Sequence, residues 1–221
     1  MKFSIIIPAY NEEKYIEKAL TSIKNQHYQD HETIVVCNGC TDNTAEVVRK
    51  YTNNVYSLEE SCIAKARNYG AQKAIGDVLI FLDADSYFFY RDALDNIKNS
   101  LDRSMVIATG KLRPDKDDFK HRFIVGIKNF FIRNFNMFYH PTICWKDTFN
   151  QVGGYDEDSV PHENMHLRRK MSKLGKIKVL NFQTVTAMRR YDRLGYLIGA
   201  LFWVKQLFLK DRDKLKKEYY R

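Results

Sequence analysis

The sequence predicts an α/β protein: a doubly wound, mainly parallel sheet with flanking helices and an amphipathic helix near the C-terminus. Short apolar, β-rich runs alternate with segments of helical period through the first 85 residues, in the order β-α-β-α-β-α-β. Val78-Leu79-Ile80-Phe81-Leu82 is the clearest run, and its continuous apolar character suits a strand buried on both faces. Each of the main runs ends in a polar cluster: Asn11-Glu12, residues 38–42, and Asp83 with Asp85. Right-handed crossovers bring such strand ends to one edge of the sheet, where ligands gather in open α/β folds.

In order along the chain, residues 3–7 form the first strand, stopped by Pro8. Residues 13–25 follow as a helix with Tyr15, Ile16, Ala19, Leu20 and Ile23 on one face. Residues 32–37 (ETIVVC) are the second strand, 38–43 a polar turn, and 44–51 the second helix. A short strand at 55–57 and a helix at 64–74 lead into the run at 78–82. Beyond it lie a surface helix at 92–102 and a strand at 106–112. Residues 116–139 then carry Phe119, Phe123, Ile127, Phe130, Phe131, Phe135 and Phe138 at helical spacing, with Lys120, Arg122, Lys128 and Arg133 among them. Both a core-facing helix with a solvated basic side and an interfacial helix on a bilayer fit that pattern. Residues 182–188 read as a strand or extended segment ending at Arg189-Arg190. Residues 194–209 are apolar but contain Lys205, and fall short of the roughly 20 apolar residues of a membrane span. We read this stretch as a peripheral, monotopic element with DRDKLKKEYYR reaching anionic headgroups, a helix packed on the domain or an oligomer contact being the alternatives.

Length and composition bound the rest. A chain of 221 residues, 44% hydrophobic and 29% charged, suits one domain with appendages. We divide it into residues 1–190, comprising a first half at 1–87 and a second at 88–190 with the insert at 116–139, and a basic tail at 191–221. The net charge is +9, and residues 189–221 hold ten Lys/Arg against four Asp/Glu. A basic, aromatic-rich tail points to an anionic surface. No nucleic-acid module is recognisable, so a membrane is favoured over nucleic acid. Cys37 and Cys40 form a C-x-x-C, a spacing used in redox and metal chemistry. Cys62 and Cys144 supply no second pair, which favours plain loop packing and a reducing, cytosolic compartment. The apolar part of MKFSIIIPAY is too short for a signal peptide and reads as a strand.

Two carboxylates one residue apart at a strand end suit an oxygen-ligated divalent cation that also takes phosphate oxygens. A solvated acidic loop is the plain alternative. No G-x-G-x-x-G follows the first strand and no P-loop occurs, so neither a dinucleotide fold nor a Walker ATPase is supported.

SIIIPAYNEEKYIEKALTSI, VVCNGCTDNTAEVV and AKARNYGAQKAIGDVLIFLDADS, in that order, resemble the nucleotide-binding half of the family 2 glycosyltransferases, of GT-A fold. The likeness is close over residues 2–87 and looser over 142–190. It implies that Pro8, Ala9, Tyr10 and Glu12 line the base and ribose of a nucleotide-sugar. Asn38 stands where the family often has an Asp reading the base edge, and Asp42 falls on the second acid of that turn. Arg67 would lie against the nucleotide, Asp83 with Ala84 would approach the ribose, and Asp85 would ligate Mn2+ or Mg2+. Residues 142–156 resemble the segment leading into the acceptor site. Gly153-Gly154 there would let the backbone pass close to the sugar or its phosphate. Further on, Glu163, Leu167, Arg168/Arg169 and Gly175 match a family layout, but Asn164 replaces the Asp credited as general base. An amide cannot usefully accept a proton. Glu163, His162 or His166 could supply the base, with Glu163 preferred, or a phosphate acceptor could need little help. Glu163 could equally favour the helix N-terminus electrostatically. His162 could also complete the metal shell. Arg189 and Arg190 are expected to meet a diphosphate or lipid phosphate, simple surface charge being the alternative.

The expectation is an inverting, metal-dependent sugar transferase using a UDP- or GDP-linked donor. Its acceptor would be a lipid-linked or cell-envelope glycan precursor, and its place peripheral, at the cytoplasmic face of the membrane. A nucleotidyltransferase shares the sheet and metal logic but normally has a Gly-rich basic loop after strand one, unlike Pro8-Ala9-Tyr10-Asn11. A binding or scaffold protein that lost catalysis is the other alternative, with Asn164 as its support.

Overall fold

A computed structural model of the chain describes residues 1–135, 141–159 and 162–195. Its first half follows the expected alternation: β1 (Phe3–Ala9), α1 (Ile16–Lys24), β2 (His31–Asn38), α2 (Thr44–Arg49), β3 (Val55–Leu58), α3 (Ile63–Lys73) and β4 (Val78–Phe81). β1 pairs in parallel with β2 and with β4, and β2 with β3. The second half adds β5 (Ser86–Phe88), α4 (Ala93–Ser100), β6 (Met105–Pro114), α5 (Phe119–Phe135), β7 (Thr142–Trp145), α6 (Lys146–Gln151), α7 (Glu163–Met171), β8 (Lys176–Thr186) and α8 (Arg189–Leu194). The strands form one sheet in the order β3-β2-β1-β4-β7-β6-β8-β5. β7 enters antiparallel between β4 and β6, and β5 runs antiparallel to β8, whereas β6 and β8 are parallel. The parallel character is therefore strongest where the three polar strand ends lie.

The alternation of side chains along β1 divides the core. Phe3, Ile5 and Ile7 face α1 and α4, meeting Ile16, Leu20, Ile23, Leu94 and Ile97. Ile6 faces the opposite layer, with Ala66 and Ala71 of α3, Phe149 of α6, and Leu167 and Met171 of α7. A Cβ on Gly70 would lie 2.5 Å from Ile6 Cγ2, so a glycine lets α3 rest this closely on β1. α5 docks on β6 through Val125 and Ile132, packed with Leu112, Met188 and Tyr191. Asn129 fixes its register by exchanging hydrogen bonds of 2.8 and 2.9 Å with the Leu112 backbone.

Some boundaries differ from the sequence reading. α1 starts at Ile16 because residues 13–15 turn first, with the Tyr15 and Ile16 N–H groups both donating to the Glu12 carbonyl. β8 begins at Lys176, six residues before the expected strand, because Lys176 and Lys178 hide an edge that pairs with β6. β5 and β7 are three and four residues long, too short to display a period. Residues 136–139 of the aromatic insert, and residues 196–221, where an amphipathic C-terminal helix is expected, lie outside the described residues.

Candidate active site

The loop after β1 is stitched to the loop after β2. Pro8 and Ala9 are buried at the strand end, and Tyr10 is exposed just beyond them. Asn11 takes a left-handed conformation at φ 54°, which lets its Oδ1 accept the Thr41 N–H at 2.8 Å. The Glu12 N–H donates to Thr44 Oγ1 at 2.8 Å, and the Glu13 N–H to Asp42 Oδ2 at 3.2 Å. Asp42 also accepts the Thr44 N–H at 3.0 Å and its hydroxyl at 2.5 Å. Burial works against the Asp42 charge, but these hydrogen bonds outweigh it and hold the carboxyl below its ordinary pKa. Asp42 is thus engaged in shaping the turn. Asn38, at the end of β2, is buried, and its Oδ1 has no hydrogen-bond partner among the described residues. The Cys37 thiol hydrogen-bonds to Cys40 and lowers its pKa to about 7, against the opposing effect of burial. Both thiols are free.

β4 delivers Asp83, Ala84 and Asp85 to the same edge. Arg67 reaches up from α3 and is 1% exposed. Its Nη2 donates to Asp83 Oδ1 at 3.0 Å and its Nη1 to Glu163 Oε1 at 2.8 Å. Glu163 sits in the first turn of α7, also 1% exposed, and its Oε2 has no hydrogen-bond partner among the described residues. Asn164 Nδ2 lies 3.4 Å from Glu163 Oε1. The Arg67 guanidinium lies 5.2 Å from the centre of the Tyr155 ring. Asn68 holds the Tyr155 backbone from both sides, its Oδ1 accepting the N–H and its Nδ2 donating to the carbonyl, each at 2.9 Å.

Arg189 arrives from the opposite direction, at the start of α8. It forks onto both oxygens of Glu12, at 2.9 Å for Nη1 to Oε2, and its Nη2 lies 3.2 Å from Asp85 Oδ2. Its guanidinium lies 4.6 Å from the Tyr15 ring centre. Burial opposes the Arg189 charge, but the Glu12 hydrogen bond and the nearby Asp85 raise its pKa. Burial pushes the Glu12 carboxyl upward, with Arg189 pulling the other way. The Ala187 N–H also donates to the Asp85 carbonyl at 3.2 Å, fastening α8 to the Asp83–Asp85 loop.

The fold thus draws the expected residues into two groups: Glu12, Asp85 and Arg189, and Arg67, Asp83 and Glu163. His162 stands just before α7, and no three His, Cys, Asp or Glu side chains gather as a metal cluster among the described residues. The side chain of Arg190 lies outside the described part of the protein. The carboxylate edge nevertheless fits a cation, since Asp85 and Glu12 together already receive the Arg189 guanidinium. Gly153 and Gly154 both have positive φ, so the turn's own geometry asks for them. Tyr15 and Tyr155 were not singled out from sequence. Tyr15 read as one more apolar position of the first helix, and nothing in local spacing links Tyr155 to Arg67.

With this geometry in place, comparison identifies the family. A model described as glycosyl transferase family 2 matches residues 4–190, and the chain belongs to that family. Poly(ribitol-phosphate) β-N-acetylglucosaminyltransferase TarS of Staphylococcus aureus is 39% identical over 95 residues, which are 39% of this chain and 17% of TarS. Glycosyltransferase AglE of Haloferax volcanii is 37% identical over 90 residues, 37% of this chain and 30% of AglE. The chain therefore spans only a minor part of these relatives. The fold is GT-A. The structure of S. aureus TarS 1–349 in complex with UDP-GlcNAc superposes with a TM-score of 0.68 at 23% identity, covering 85% of this chain and 58% of that one. Mannosyltransferase PcManGT from Pyrobaculum calidifontis, in complex with GDP-Man and Mn2+, gives 0.72 at 21% identity, covering 93% and 62%.

Proposed function

We propose that the protein transfers a sugar from a UDP- or GDP-linked donor to an acceptor, with inversion by direct displacement. The observation that carries this reading is the convergence at one sheet edge of Glu12, Arg67, Asp83, Asp85 and Arg189, from four separate segments. In this reading Pro8, Ala9 and Tyr10 line the base and ribose, and the buried Asn38 Oδ1 accepts a base N–H. Asp42 shapes that wall. Arg67 holds Asp83 in place beside Ala84 for contact with the ribose. The Arg189 fork, with Arg190 beside it in sequence, suits the oxygens of the diphosphate. Asp85, with Asp83 nearby and His162 as a further candidate ligand, suits Mn2+ or Mg2+. A bound ion would offset the charge that develops on the departing diphosphate.

Glu163 has two possible roles that one substitution separates. Oε1 anchors Arg67, while the unpartnered Oε2 is the atom a base role would use. Asn164 cannot take a proton and would serve only by hydrogen bonding. If Glu163 is the base, Glu163→Gln loses turnover and keeps donor affinity. If it is an anchor, both fall with stability.

The acceptor in this reading is a lipid-linked or cell-envelope glycan precursor, met at the cytoplasmic face of a membrane. α5 supports it. Phe119, Phe123, Phe130 and Phe135 are 57–76% exposed along the helix, and residues 119–135 contain no Asp or Glu against Lys120, Arg122, Lys128 and Arg133. That combination complements an anionic lipid surface. No helix among the described residues is long and apolar enough to cross a membrane. The direct test is incubation with UDP- and GDP-sugars plus Mn2+. Release of free nucleotide diphosphate supports the transferase, pyrophosphate a nucleotidyltransferase, and neither product a binding scaffold.

A further inference from the structure

We infer that Arg189 guards Asp85 while the donor is absent, so that the divalent cation enters together with the nucleotide diphosphate and not ahead of it. This rests on the donor-site reading above and adds an order of binding to it. Arg189 is held in place by Glu12 at 2.9 Å, Asp85 at 3.2 Å and the face of Tyr15 at 4.6 Å. The backbone bond from Ala187 to Asp85 keeps α8 against the acidic loop, so the guanidinium cannot leave simply by moving the helix away. A divalent ion placed on Asp85 with Arg189 still there would face a like charge across a few ångströms. In a half-buried site that repulsion is weakly screened. Of the neighbouring carboxylates, Glu12 is already neutralised by the same Arg189 fork and Asp83 by Arg67, so neither adds much uncompensated negative charge.

A diphosphate changes this balance. It brings several negative charges and oxygens of the geometry that a guanidinium fork accepts. Arg189 can then exchange Asp85 for the diphosphate by a side-chain rotation, leaving the Asp85 oxygens to the ion. Cation and nucleotide thus become mutually dependent ligands, each raising the affinity of the other by the same factor.

The test is Mn2+ binding by the full chain, followed by the spin-resonance signal of free Mn2+, without nucleotide and with UDP or GDP. Wild type is expected to bind Mn2+ weakly alone and much more tightly with one nucleotide diphosphate. Arg189→Ala should bind Mn2+ alone at least tenfold more tightly, and the nucleotide should then add less. Adding Asp85→Ala to that variant should remove the gain. Arg189→Gln, which keeps the stem over Tyr15, repeats the measurement if the alanine variant does not fold. Unchanged Mn2+ affinity in the Arg189 variants, or a gain that survives Asp85→Ala, overturns the guard. If wild type shows no Mn2+-linked binding of any nucleotide diphosphate, the donor-site reading fails instead.

Discussion

Arg67 is buried with two carboxylates in hydrogen-bond reach, and removing it leaves Glu163 as an uncompensated charge in the core. Breaking a buried pair from one side costs about 3–5 kcal/mol. Arg67→Ala is therefore expected to lower stability by that order in denaturant unfolding. A loss under about 1 kcal/mol would show that the pair is solvated. Cys40 offers a second test at this scale. Its thiol is half-buried and titrates at about 7, whereas its donor Cys37 is buried and pushed up. Thiolate is the reactive form, so iodoacetamide labelling of Cys40 should rise as pH passes through about 7 and precede labelling of Cys37. Equal labelling of both would contradict the asymmetry. Asp83 and Asp85 were legible in the sequence because the apolar run before them marks a strand end. The pairing of Arg67 with Glu163 was not, because 96 residues separate them and only the packing of α7 against β6 and α3's face joins them.

At the level of elements, the loops after β1 and β2 act as one wall because Asn11, Asp42 and Thr44 tie them together. The turn that ends α6 is equally constrained. A Cβ at Gly154 would come 2.7 Å from Asn68 Oδ1, the atom that holds Tyr155, while one at Gly153 meets nothing within 4 Å. Both glycines have positive φ, which costs an L-residue about 1–2 kcal/mol. Gly154→Ala should therefore lower Tm more than Gly153→Ala, and equal losses would contradict the packing. The parallel strands of the first half were readable because their runs are apolar throughout. β8 was only partly readable, since its lysines mask the strand pattern until β6 is seen beside it.

At the scale of the whole molecule, two surfaces of different character adjoin at α8, which carries Arg189 to one and packs against α5 of the other. One edge gathers carboxylates and arginines at the ends of β1, β2 and β4, and α5 carries the exposed aromatic and basic stripe. Helical period announced that stripe, but period alone could not say which face turns outward. The packing of Val125 and Ile132 on Leu112 decides it. Wild type is expected to sediment with vesicles containing anionic lipid, and Phe119→Ser with Phe123→Ser to reduce the bound fraction severalfold. Binding that is indifferent to these changes would remove α5 from the membrane contact.

The central claim is that the carboxylate edge receives a nucleotide diphosphate together with a divalent cation. Calorimetry of UDP, GDP, CDP and ADP with and without Mn2+ tests it most directly. UDP or GDP should bind tightly, and that binding should be lost without Mn2+ and in Asp85→Ala. Absence of metal-linked binding for all four, or binding unchanged by Asp85→Ala, would contradict it.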